Sequence, residues 1–252
     1  MNKYSIPNLG KAISVLKLLA SAGQGVSAVH IEETLNIPRT TAFRILKTLT
    51  QQGMVEKKGT QFYAGPGLLE IGLMALQKSQ LRELAVPVLQ ALTSQTGLTS
   101  HLAVPSGWHT LILEVCDSSG PIRVASRPGT LADLHCSATG KLFLASLYAD
   151  RLDEFCRVVC PQRRTDNTKT TVEELRMLVQ EVQEAGYAVD EQEYHPNVRC
   201  FAAPVRDLRR EVVAAVGVTG PTSLFTRERF EEICTAVVSS AAKLSAKIGH
   251  TA

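Results

Sequence analysis

Between residues 9 and 20 apolar side chains recur at helical spacing: Leu9, Ala12, Ile13, Leu16, Leu19 and Ala20 fall on one face. The pattern predicts a first helix, broken by Gly23-Gln24-Gly25. Ser27 is placed to cap a short second helix running through Ile31 to Leu35, and Asn36-Ile37-Pro38 makes a tight turn. A third helix is expected over 39–52, stopping at Gly53. On it, Ala42, Ile45, Leu46 and Leu49 share one side, while Thr40, Arg44, Lys47 and Gln51 share the other. Short strands over 54–57 and 61–63 then flank Lys58-Gly59-Thr60, where Gly59 suits a positive-φ turn position.

Pro66-Gly67 opens an apolar run over 68–76 that is wider than one narrow stripe. A helix there needs a second surface over it, from a partner subunit or from the rest of the chain. Leu81, Leu84, Ala85, Val88, Leu89 and Leu92 predict an amphipathic helix ending near Gly97. The period then changes to that of strands over 99–104, 110–115 and 122–126, separated by Gly, Pro and Ser. Helices follow over 137–147 and from the capping box Thr171-Val172-Glu173-Glu174 to Gly186. Strands return over 187–190, 198–205 and 211–218, and a last helix covers 227–247 after Thr226. Helices flanking a mixed or antiparallel sheet make the class α+β. The expected organisation is a first domain over 1–66, a linker helix over 67–80 and a second domain over 81–252.

Charge sharpens this division. The chain has 252 residues and a formal net charge of +3. Its first 76 residues carry eight basic and four acidic side chains, against nineteen and twenty in the remainder. The surplus positive charge therefore sits where phosphates would be met. No apolar run reaches the roughly 18 residues of a membrane span, and the N-terminus lacks the apolar core of a secretory signal. A cytoplasmic protein is expected, with its six scattered cysteines as free thiols. Cys156 and Cys160 have ligand-like spacing but no second pair, so neither a metal nor a cofactor is expected.

The exposed side of the third helix has two cations, a hydroxyl and an amide and no carboxylate, which suits phosphates and base edges. Arg39, Thr40 and Thr41 occupy its first turn, the part that enters a major groove. Lys57 and Lys58 on the following hairpin make a basic wing. A solvated helix and an incidental hairpin are the plain alternatives, but helix, helix, turn, helix and basic hairpin in this order are more specific than either piece. An enzyme is the rival class: Cys200, His195 and Asp190 name the residue types of a thiol triad. No nucleophile elbow, phosphate-binding glycine loop or His-Glu-x-x-His helix accompanies them. A DNA-binding protein whose second domain only assembles subunits is the other alternative.

Leu9-Gly10-Lys11-Ala12, Ile37-Pro38-Arg39-Thr40-Thr41-Ala42-Phe43-Arg44-Ile45-Leu46 and Phe62-Tyr63 resemble the DNA-binding domain of the isocitrate lyase regulator (IclR) family. The segment 134–145, the run Gly186-Tyr187-Ala188-Val189-Asp190 with Glu193, the run 200–207 and Val218-Thr219-Gly220-Pro221 continue the likeness. The resemblance implies an N-terminal winged helix-turn-helix reading double-stranded operator DNA and a GAF-like effector-binding domain. It also implies homodimers joined through the DNA-binding part, and dimers of dimers. It places Val124, Ala138, Thr139, Gly140, Asp190, Cys200 and Thr219 in the effector site. Gly217 falls where many members have a second hydroxyl, and Asn197 replaces a usual glycine. The helix opening at Ala138 favours a negative group. The expected ligand is a small organic acid, on the order of three to ten heavy atoms. Its carbons would be covered by Val124 and by Phe201, unless strand alternation turns Phe201 away from the pocket, and Gly217 would leave room for a larger or less polar ligand.

Overall fold

The computed structural model describes residues 5–77, 79–120 and 127–250. The chain divides into two compact units, Met1–Ser79 and Gln80–Ala252. In the first, α1 (Pro7–Ser21), α2 (Ala28–Leu35) and α3 (Arg39–Gln51) pack around Val15, Leu19, Ile31, Ala42, Ile45 and Leu46. Ser27 Oγ accepts from the His30 N–H and caps α2. Asn36 takes the left-handed conformation that turns the chain into α3. A three-stranded antiparallel sheet in the order β1 (Val26–Ser27), β3 (Gln61–Ala64), β2 (Val55–Lys58) completes the unit. Gly65 lies so close to the Gly53 carbonyl that a Cβ there would collide with it, and α4 (Pro66–Gln77) starts at that junction.

Helix α1 differs from its sequence pattern. Leu9 and Ile13 are 57% and 46% exposed, and Ala20 is exposed, whereas Val15 is fully buried. The apolar stripe is wider than the contact the small core can make, and the core takes the edge containing Val15 and Leu19. Leu69, Ile71, Leu73 and Met74 on α4 are likewise about half exposed or more.

The second unit is built on one six-stranded antiparallel sheet. Its strands are β4 (Thr99–Ser106), β5 (His109–Cys116), β6 (Leu131–Asp133), β7 (Ala188–Glu191), β8 (Val198–Arg206) and β9 (Val212–Pro221), ordered β6-β5-β4-β9-β8-β7. α5 (Gln80–Thr96) and α9 (Arg227–Lys247) cover one face through Leu89, Leu92, Phe201, Val216, Ile233 and Val237. α6 (Ala138–Leu147), α7 (Leu152–Val159) and α8 (Val172–Ala185) cover the other through Leu142, Phe143, Phe155, Leu175, Ala202 and Ala215. The capping box at Thr171 and Glu174 starts α8 as expected. The short elements β6 and α7 were not anticipated, and the strand expected over 122–126, with Val124, lies outside the described residues.

Register decides which side chains meet. Asp190 is opposite Cys200, Cys200 opposite Thr219, and Thr219 opposite Thr99. The adjacent row on the same face runs Ala188, Ala202, Gly217, His101 and Val115. Both rows lie under α6 and α8.

Candidate DNA interface and ligand site

On α3 the first-turn residues Arg39 and Thr40 are exposed and Thr41 is half-buried. Arg44 and Lys47 are exposed, opposite the buried Ala42, Ile45 and Leu46. No ion pair engages Arg39, Arg44 or Lys47 among the described residues, so their charge remains for phosphates or guanine edges. Phe43 is 66% exposed, one turn from both Arg39 and Lys47. Sequence reasoning missed it, although an apolar residue on an otherwise polar face was a visible signal. The wing lysines differ from each other. Lys57 pairs across the hairpin with Phe62, with its ammonium 5.7 Å from that ring. Lys58 lies 3.0 Å from Glu56, so part of its charge is already countered.

The candidate ligand-site residues other than Val124, which lies outside the described residues, gather in the second unit. Asp190 is fully buried at the end of β7, and its Oδ1 accepts the N–H groups of Glu193 at 2.7 Å and Tyr194 at 3.2 Å. Its Oδ2 has no partner among the described residues. Burial pushes the Asp190 pKa up to about 6, against the pull of those two N–H groups and of Lys141. Lys141 and Glu193 form a buried ion pair, and Glu193 Oε2 is also unpartnered. The Cys200 thiol donates to Thr219 Oγ1 at 3.0 Å. Burial and then Asp190 hold that thiol well above its ordinary pKa, so it stays protonated. It is no nucleophile, and the exposed His195 bonds the Pro196 carbonyl instead of either partner of a triad.

Three expectations change. Gly140 serves packing: a Cβ there would strike the Asp133 carbonyl, and its N–H is already taken by Ser137 Oγ at 3.1 Å. The anion-holding capacity of the α6 N-terminus therefore rests on Ala138 and Thr139, both buried. Phe201 points to the opposite face, against Tyr187 and Phe230, because strand alternation separates it from Cys200. Gly217 leaves no room: a Cβ there would lie 2.7 Å from His101 Nε2, since the imidazole fills that space. Lys141 and His101 were not assigned to the site by sequence reasoning, and Glu193 was noted only as part of the family's acidic motif. Lysine and glutamate ordinarily mark solvated positions, and only the fold puts these two together.

Asp133, His135 and Cys136 bring one potential metal-ligand atom each within 4.8 Å of one another. Arg164 already binds Asp133 at 2.5 Å, and burial followed by Asp133 drives the Cys136 thiol pKa well up. A cation would have to displace the guanidinium and remove that proton. Two open grooves, of about 610 and 380 Å³, lie away from Asp190. The first is lined by Leu142, Val182, Pro204, Arg206 and Arg210, and the second runs between α5 and α9.

Comparison with known proteins decides what this architecture is. Residues 9–59 match the IclR helix-turn-helix domain, and residues 73–246 match the bacterial transcriptional regulator IclR C-terminal domain. The chain belongs to the IclR family. It is similar to the HTH-type transcriptional regulator BhcR of Paracoccus denitrificans, 33% identical over 94% of this chain and 85% of that protein. KdgR of Escherichia coli is 28% identical, over 98% and 94%. Among solved structures, an IclR regulator from Alicyclobacillus acidocaldarius superposes with a TM-score of 0.84 at 28% identity, covering 98% of this chain and all of that one. The Thermotoga maritima IclR gives 0.70 at 28%, with the same coverage. The IclR chain described here is thus a DNA-binding transcriptional regulator with a C-terminal effector-binding domain, not an enzyme. No helix among its described residues is long and apolar enough to cross a membrane.

Two outcomes follow from this geometry. Against DNA selected from a random pool, Arg44→Ala is expected to lower specific affinity by about 1–3 kcal/mol with little change in folding. Replacing Lys57 and Lys58 together is expected to weaken specific and nonspecific DNA alike and reduce the salt slope by about one unit, because Glu56 already offsets Lys58. Gel-shift titrations at several salt concentrations check both, and an unaltered slope removes the wing from the interface. For Asp190, a folded-state pKa above the unfolded 3.8 means that ionising it opposes folding. Stability is complete below about pH 4 on this account and is lost as pH rises through about 6. Asp190→Asn is expected to stabilise the ligand-free protein near pH 7.5 by on the order of 1–3 kcal/mol and to remove that pH dependence. Urea melts at pH 4.5 and 7.5 measure it.

Proposed function

We propose that this regulator is a homodimeric repressor released from or retained on its operator by a small hydroxylated organic acid. The observation that carries the ligand chemistry is the pair of buried, unpartnered carboxylate oxygens, Asp190 Oδ2 and Glu193 Oε2, beside the start of α6. Buried acceptors without donors cost free energy that a ligand's hydroxyl or amine groups recover. A ligand carboxylate would sit at the Ala138 and Thr139 N–H groups, near the Lys141 cation, and its hydroxyls would donate to Asp190 and Glu193. Thr219 and Cys200 complete the polar floor, and Val124 remains assigned as an apolar wall by the family pattern. The repressor reading follows relatives described as such, the repressors IclR and AllR of Escherichia coli, 25% and 26% identical.

A thermal-shift screen of glycolate, lactate, glycerate and related hydroxy acids is expected to give a hit that stabilises the wild type more than Asp190→Ala. Equal stabilisation of both would remove Asp190 from the site. If only an aromatic amine or a metal ion stabilises the protein, the organic-acid reading is wrong.

Arg39 to Lys47 and the wing make one DNA-reading surface per chain, and two such surfaces related by symmetry would read paired half-sites. The half-exposed apolar residues of α4, with Leu9 and Ile13 of α1 and Ile6 just before it, support a partner subunit as their cover. Leu69→Glu with Leu73→Glu is expected to shift the protein toward monomer in analytical ultracentrifugation and to abolish cooperative occupancy of two half-sites. An intact dimer would show that α4 is covered in another way.

A further inference from the structure

His101 is a polar side chain enclosed on the helix-covered face of the sheet, between the small Gly217 and the apolar Val115 in its own row. It is only 5% exposed, and its Nδ1 has no hydrogen-bond partner among the described residues. The next row, on the same face, is the Asp190, Cys200, Thr219 and Thr99 line. Burial pushes the His101 pKa down to about 4, so the ring is neutral near pH 7 and offers one N–H and one lone pair.

The ring lies over Gly217. A Cβ at that position would be 2.7 Å from Nε2 and 2.9 Å from Cε1, which only glycine avoids. The space that a side chain at 217 would need on β9 is thus taken by the imidazole from the neighbouring β4. A buried imidazole without a partner costs free energy, and a nonpolar ring of the same shape would fill the space without that cost.

We propose that His101 is a specificity-determining residue of the effector site, closing its end over Gly217 and hydrogen bonding to a polar terminus of the ligand. This rests on the hydroxy-acid reading of the site. The preferred ligand carries a carboxylate and a hydroxyl at one end and a further hydroxyl or carbonyl oxygen at the other. An analogue ending in a methyl group leaves the imidazole unpaired and is rejected.

Glycerate and lactate test this, because they share a carboxylate and a 2-hydroxyl and differ only in a terminal hydroxyl. Calorimetric titration of the full chain is expected to show glycerate binding about tenfold tighter than lactate, the worth of one buried hydrogen bond. In His101→Leu the preference should fall to about twofold or less, with lactate affinity kept. His101→Asn should retain part of the preference. His101→Ala combined with Gly217→Ser should restore it through the hydroxyl, and this pair serves if the leucine variant fails to fold. A purely structural histidine would change stability but not the ratio between two ligands. If glycerate binds in an Asp190-dependent way and His101→Leu keeps the wild-type preference, His101 is not a reader and the inference falls alone. If neither probe binds the wild type, the hydroxy-acid reading falls and takes this inference with it.

Discussion

Burying two carboxylates against a single lysine is the constraint around which the C-terminal unit is organised. A sheet covered by helices on both faces has no water with which to solvate Asp190 and Glu193. Lys141 neutralises one charge directly, and two backbone N–H groups support Asp190 Oδ1. Each carboxylate still keeps one oxygen without a hydrogen-bond partner among the described residues. An arrangement selected only for stability would replace these groups with apolar side chains of similar volume, since buried ion pairs commonly contribute little net stabilisation. The cost is tolerable where something else supplies the missing donors for part of the time. The same argument explains the raised Asp190 pKa: the site is electrostatically incomplete by itself.

The N-terminal unit solves a different problem, attracting a polyanion without folding around it. Its cations stand on the exposed side of α3 and at the tip of β2, where charge costs nothing to solvate, while its small core is almost wholly aliphatic. Long-range attraction of this kind brings the protein to any DNA. Discrimination must come from the few groups that reach base edges, and α3 offers Arg39, Thr40, Arg44 and the exposed Phe43 for that purpose.

Local pattern carried a great deal of this. The caps at Ser27 and Thr171, the α3 faces and the β2–β3 hairpin are written in neighbouring residues, and the structure has them close to where spacing put them. The face buried by α1 was less legible, because its apolar stripe contains more hydrophobic positions than the small core uses. β6 and α7 are too short to show a period: α7 buries only Leu152 and Phe155. The candidate ligand site was legible only through family likeness, and one departure from the family pattern, Gly217, was misread. A glycine at 217 reads as empty space until pairing of β9 with β4 sets His101 beside it, and that register depends on residues more than a hundred positions apart.

Unsatisfied groups also set the scale of any signal. A ligand shifts an equilibrium between two arrangements of a protein only by the difference in its affinity for them. Each buried acceptor that gains a donor contributes on the order of 1–3 kcal/mol, and a coupling of 1–3 kcal/mol changes operator affinity by about 5- to 150-fold. On the proposed ligand chemistry, the two carboxylate oxygens and the imidazole nitrogen without partners among the described residues are of the right order for such a switch, provided that only one arrangement presents all of them to the ligand. Asp190 and Glu193 are tied to the loop after β7, Lys141 to α6, and His101 to β4. A ligand bridging them links three elements on one face of the sheet. Small relative movements of α6 and that loop would break the bridge, and this makes the site responsive to conformation as well as to chemistry.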